Sequence, residues 1–86
     1  MPDPKDEAQA KLDAIAPKPG RYRHYKGGEY EVILCAIKED TLEPMVIYKS
    51  LAHGTIWVRP IQEWNEEVEV AGQHIRRFTQ LVRNNS

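Results

Sequence analysis

The stretch Gly20-Arg21-Tyr22-Arg23-His24-Tyr25-Lys26-Gly27-Gly28-Glu29-Tyr30-Glu31-Val32-Ile33-Leu34-Cys35-Ala36-Ile37-Lys38 decides the fold. It divides at Lys26-Gly27-Gly28, because paired glycines supply the positive φ that a tight hairpin turn needs. Arg21 to Tyr25 reads as a first strand and Glu29 to Lys38 as a second, longer one. In the second, Tyr30, Val32, Leu34 and Ala36 alternate with Glu31, Ile33, Cys35 and Ile37. The alternation is polar on one side only at its start, so the far half is expected to be buried on both faces or strongly bent.

Toward the C-terminus the strand pattern continues. Glu39 to Pro44 is a polar connection, Met45 to Ser50 a third strand, and Ala52-His53-Gly54 a second tight turn. Thr55 to Arg59 makes a fourth strand, which Pro60 stops. Ile61 to Asn65 is too short for a stable helix but could form one 3₁₀ turn. Glu67–Val70 and Gln73–Ile75 form a hairpin around Ala71-Gly72, and residues 76–82 add a final edge. Five or six short antiparallel strands of this kind are expected to close, since an open sheet leaves two exposed edges. The expected class is mostly β: a small SH3-like barrel, with an OB-like barrel or a strongly bent sheet as the alternative.

Toward the N-terminus the pattern becomes helical over residues 4–16. Asp3 suits the N-cap, Pro4 the first helical position, and Asp6 and Glu7 the positive end of the helix dipole. Ala8, Leu12 and Ile15 form a thin apolar stripe that needs a surface to lie on, either the domain or a partner. Pro17-Lys18-Pro19-Gly20 reads as a linker. The organisation is therefore a helix and linker over residues 1–19, a β-barrel domain over 20–82, and a polar, frayed tail over 83–86.

The chain has 86 residues, 41% hydrophobic and 29% charged, which is one globular domain. A core of this size has only about 3–5 kcal/mol to spare. The lone Cys35 excludes an intrachain disulfide. The polar N-terminus has no apolar leader, and no run approaches the ~20 apolar residues of a membrane span, so a reducing cytoplasm and no membrane partner are expected. Net charge is −1, and residues 20–86 balance nine basic against nine acidic groups. That balance argues against a general nucleic-acid binder but leaves room for a local patch.

The segments Gly20 to Gly27 and Tyr30-Glu31-Val32, followed by Thr41-Leu42-Glu43-Pro44, Val46-Ile47-Tyr48 and Trp57-Val58-Arg59-Pro60, carry a resemblance. With Val68, Gly72 and Arg77-Phe78, their order and spacing resemble the DUF1653 family over about residues 20–78, a group of short bacterial proteins of unknown function. The resemblance implies a compact SH3-like β-barrel and no established reaction or ligand. Ala52 after Leu51, where members often carry an aromatic, and Trp64, where the segment after Pro60 usually ends in Phe, are departures.

Trp57 and Arg59 share one face of the fourth strand and Ile56 and Val58 the other. They could form an aromatic platform beside a guanidinium, fit for an anion, a peptide carboxylate or a base. Alternatively Trp57 is core. Burying it removes about 150–250 Å² from water, roughly 4–6 kcal/mol, which matches the whole expected stability and weighs toward the core. In the first strand Tyr22, His24 and Lys26 share one face, and Arg21, Arg23 and Tyr25 the other. Such interleaving can track a phosphate backbone, but an edge strand guarded by charges is the preferred reading.

Thr41, Glu43 and Tyr48 are further candidates, with Glu43 a partner for Arg59 or Lys26 and Thr41 alternatively a turn stabiliser. Cys35, in mid-strand, behaves as a small apolar group rather than a nucleophile. His24, His53 and His74 match no metal-ligand spacing, and Glu63, Glu66, Glu67 and Glu69 read as a solvated face. The expectation is a non-catalytic binding module without cofactor or metal. It would recognise a small anionic ligand, a peptide or an RNA or DNA segment through His24, Lys26, Thr41, Glu43, Tyr48, Trp57 and Arg59. The alternative is an assembly unit that oligomerises through its N-terminal helix.

Overall fold

A computed structural model describes residues 3–81. The N-terminal helix α1 (Pro4–Ile15) starts as its sequence dictates: the Asp3 carboxylate accepts the Lys5 N–H at 2.9 Å. It stops where Pro17 blocks a further turn, with the Ala16 N–H donating to the Leu12 carbonyl at 2.8 Å. Ala8 and Leu12 are buried, and Leu12 joins the core of the domain. The thin stripe thus lies on the chain's own sheet.

Four strands follow as a meander: β1 (Gly20–His24), β2 (Glu29–Ile37), β3 (Pro44–Ser50) and β4 (Ile56–Pro60). After the one-turn helix α2 (Ile61–Trp64) come the hairpin strands β5 (Glu67–Val70) and β6 (Gln73–Arg76), then β7 (Phe78–Gln80). The main sheet has the order β4-β3-β2-β1-β7, all neighbours antiparallel, and β5-β6 forms a separate two-stranded sheet. Mostly β with an N-terminal helix is therefore the architecture. Among the described residues neither sheet closes on itself, so the expected barrel closure is not seen: β4 and β7 are the edges of the main sheet.

β1 is not the charged edge strand the sequence suggested. β7 returns to pair with it, placing Tyr22 opposite Gln80 and His24 opposite Phe78. The charges of Arg21 and Arg23 lie on the exposed face of an interior strand, where Arg23 meets Glu29 at 3.4 Å.

The far half of β2 is bent rather than buried on both faces. The register shifts between Val32 and Leu34, so Ile33 is an extra residue with no partner on β3. This bulge swaps the faces. Before it Tyr30 and Val32 point inward, and after it Cys35 and Ile37 do, opposite Val46 and Pro44. Leu34 follows Ile47 to the outer face and is 47% exposed.

The core lies on the inner face under both helices and comprises Leu12, Tyr22, Val32, Val46, Tyr48, Ile61, Trp64 and Phe78. Val46 and Ile61 are fully buried. α2 is α-helical over Ile61–Trp64 rather than the 3₁₀ turn expected there, since the Asn65 N–H reaches back four residues to the Ile61 carbonyl at 2.9 Å, and this single turn buries both of its ends. The tryptophan of the core is thus Trp64. Trp57, which burial arithmetic favoured, is 52% exposed on the edge strand. Val82 and the polar tail lie outside the described residues.

Candidate functional site: an aromatic and cationic face

Directly opposed residues of an antiparallel pair point to the same side of the sheet. Trp57 faces Tyr48 and Arg59 faces Val46, so both lie on the inner face, at its open margin beyond the helices. Tyr30 pairs with Tyr22 on one side and Ser50 on the other, which puts it on the same face. His24 follows two residues along β1 from Tyr22.

These strands assemble a continuous aromatic floor. Trp64 stacks on Phe78 with ring centroids 3.6 Å apart and makes T-shaped contacts with Tyr22 and Tyr48 at 5.4 and 4.9 Å. Tyr30 meets Tyr48 at 5.7 Å and Phe78 at 5.9 Å, both edge to face. His24 packs on Phe78 at 4.9 Å and on Tyr25 at 4.7 Å. Edge-to-face pairs of this kind add about 0.5–1.5 kcal/mol each beyond their burial.

Cations gather at the margin of this floor. The Arg59 Nε–H donates to the Tyr48 hydroxyl at 3.4 Å, while its Nη1 meets Glu63 Oε1 at 3.3 Å one helical turn on. The Tyr48 hydroxyl, helped by the nearby carboxylates, holds the Arg59 guanidinium above its ordinary pKa. Arg77 sits at the bend between β6 and β7, where its carbonyl accepts the Tyr25 N–H at 2.9 Å. Its Nη2 lies 3.7 Å from Glu66 Oε1, and its Nε is buried without a hydrogen-bond partner. Lys26 stands in the β1–β2 turn with its Nζ over the Tyr25 ring at 5.7 Å. Burial, and then the positive charges of Arg77, Arg59 and Lys26, push the His24 pKa below its ordinary value of 6.5. Its Nδ1 accepts the Lys26 N–H at 3.2 Å, which a neutral ring allows.

Of the sequence candidates, the sheet brings together His24, Lys26, Tyr48, Trp57 and Arg59, with Tyr48 buried as part of the floor. Thr41 and Glu43 lie elsewhere. They line a hollow of about 200 Å³ beside Lys11, Ile15 and Gln62 of the two helices. There Thr41 Oγ1 accepts the Glu43 N–H at 3.3 Å, and the Glu43 carbonyl accepts the Lys38 N–H at 2.9 Å. Thr41 thus stabilises its turn. The carboxylate that meets Arg59 is Glu63 and not Glu43.

Tyr30, Arg77, Glu63 and Glu66 were not among the candidates. The glutamates looked like a solvated run, and Arg77 reaches the face only because β7 returns to β1. A separate cleft of about 580 Å³ opens between the linker, α2 and β7, bordered by Lys18, Tyr22, Trp64 and Arg76. Burial raises the Cys35 thiol pKa, which keeps it protonated. Among the described residues no three His, Cys, Asp or Glu side chains come together as a metal site, and no helix is long and apolar enough to cross a membrane.

Comparison with known proteins places the chain within a family. A crystal structure of a DUF1653 protein from Bordetella bronchiseptica is similar to this chain with a TM-score of 0.71 and 30% identity, over 83% of this chain and 95% of that one. No curated protein matches the chain. The sequence profile described as "Protein of unknown function (DUF1653)" matches residues 20–80, the whole sheet and both of its edges. The chain belongs to the DUF1653 family.

Proposed function

We propose that this protein is a small non-catalytic binding module that recognises an anionic group on the face formed by His24, Lys26, Trp57, Arg59 and Arg77. The supporting observation is the gathering of three cations around one imidazole above the Tyr30–Tyr48 floor, answered by two carboxylates, Glu63 and Glu66. The local balance is one positive charge with His24 neutral. A phosphate or carboxylate entering there would accept hydrogen bonds from the outer N–H groups of the Arg59 and Arg77 guanidiniums, which Glu63 and Glu66 already hold in place. The half-exposed ring of Trp57 would stack on whatever planar group the anion carries. Arginine suits this role because its planar fork matches carboxylate and phosphate oxygens.

Within this reading the protein works in a bacterial cytoplasm on a soluble partner: a free anion, a peptide carboxylate or a nucleic-acid phosphate. The meander order with β7 beside β1 supports an SH3-like description of the domain. Inorganic phosphate, a nucleoside monophosphate, a short oligoribonucleotide and an acidic peptide are the probes. Isothermal titration should give binding to at least one, weakened by at least about tenfold, or ~1.4 kcal/mol, in Arg59→Ala with the fold retained. Trp57→Ala should weaken nucleotide binding more than phosphate binding. Equal affinity in native chain and Arg59→Ala would refute the site.

A further inference from the structure

A second chemical feature is the outer edge of β4, which no described strand pairs. Ile56 and Val58 are each 61% exposed and Trp57 is 52% exposed, three consecutive large apolar residues on one strand. The Ser50 N–H donates to the Thr55 carbonyl at 2.8 Å, which marks Ser50–Thr55 as a hydrogen-bonded pair. Such pairs recur every second residue along an antiparallel ladder. Trp57 and Arg59 therefore turn their backbone groups toward β3, and Ile56 and Val58 turn theirs to the outside. Pro60, with no N–H, ends the available ladder at one side and Gly54 at the other.

We infer that this edge is filled by β4 of a second copy, in an antiparallel two-fold pair centred on Trp57. The edge is self-complementary in that register. Ile56 of each copy pairs with Val58 of the other, so the four outward N–H and C=O groups of each chain meet their counterparts and none is left over. Trp57 falls opposite its own symmetry mate in a non-hydrogen-bonded pair, where side chains are closest and aromatic pairs are favourable. Arg59 falls opposite Thr55, so no like charges oppose one another along the seam.

On the outer face Leu34, Ile47 and Val58 already form one row across three strands. The pairing extends that row onto Ile56 of the mate and covers the margin of an apolar surface otherwise left to water. The contact is isologous, as a two-fold dimer requires. It leaves the inner faces of both copies on one side of a joined sheet, and it does not rest on the anion reading.

An edge this short makes a weak interface, so the dimer is expected at high concentration. Sedimentation velocity from about 10 µM to about 1 mM should show a monomer–dimer equilibrium in the native chain. Ile56→Lys should remain monomeric at every concentration, with its melting temperature kept because the side chain already faces solvent. Register is tested in a Cys35→Ser background. Trp57→Cys should form a covalent dimer on mild oxidation, since the two Cα atoms would lie about 4.5 Å apart. Thr55→Cys, which faces residue 59 of the mate, should not. A native chain monomeric throughout overturns the inference and leaves the edge for a foreign strand. So does equal crosslinking at positions 55 and 57.

Discussion

His24 links backbone, floor and field. Its ring lies between Phe78 and Tyr25, its Nδ1 takes the Lys26 N–H, and its pKa is lowered by burial and by neighbouring cations. The folded state therefore resists a proton that the unfolded chain accepts near 6.5. Stability is fully present above that value and falls as the pH drops toward the lower folded pKa. The melting temperature of the native chain should decline between about pH 7.5 and about pH 5.5, and His24→Phe should flatten that decline. An unchanged slope in the variant would remove His24 from the account. Tyr22 makes a second residue-scale prediction. Its hydroxyl donates to the Lys18 carbonyl at 2.8 Å, tying the linker to the sheet, and Tyr22→Phe should cost about 1 kcal/mol in denaturant unfolding. At this scale the sequence was legible in part. Residue type singled out Arg59 and His24 as candidates, whereas burial arithmetic favoured Trp57 for the core and the buried tryptophan is Trp64. Trp64 is core because one helical turn after Pro60 points it inward beside Ile61, whereas Trp57 sits on a strand with no neighbour beyond it.

Elements are where the sequence read best, since caps, turns and strand stops are local chemistry. Asp3-Pro4 starts α1, Gly27-Gly28 makes the first turn, and Pro60 ends β4. What stayed hidden was the bulge at Ile33. Alternation is counted from residue to residue, and an inserted residue reverses it without changing the composition. The Ala71-Gly72 turn shows the opposite case, a local feature the sequence got nearly right. Both residues have positive φ, 52° and 81°, the conformation of a two-residue hairpin turn that favours Asn-Gly. Ala71 adopts it against the preference of its Cβ. Ala71→Asn should therefore stabilise the domain by up to about 1 kcal/mol, a rise of roughly 4–8 °C in melting temperature if the hairpin unfolds with the rest. No rise would mean that β5–β6 opens independently of the main sheet. Ile61→Ala tests the role of α2. The side chain is fully buried, so its truncation should cost about 2–5 kcal/mol, and a loss under 1 would contradict the placement of the core.

Over the whole molecule, two properties were beyond reach of local patterns. Closure depends on whether β4 can meet β7, and among the described residues the two stand at opposite ends of the main sheet, while the β5–β6 hairpin forms a sheet of its own. The site depends on strand order. Five of the seven candidates converge because β1, β3 and β4 share an inner face, and Arg77 joins them through the return of β7. Thr41 and Glu43 do not join, because the β2–β3 connection carries them toward the helices at the far end of the sheet. The outcome is a domain whose core consumes most of its rings and whose open margin gathers the cations. The most direct measurement of that claim is a ¹⁵N-detected NMR titration of the native chain with adenosine monophosphate, following the arginine Nε–H signals. The account predicts saturable shifts of Arg59, Arg77 and the Trp57 indole along one binding curve, abolished in Arg77→Gln with the remaining spectrum unchanged. Shifts confined to the cleft around Lys18 and Arg76, with the Arg77 signal still, would contradict it.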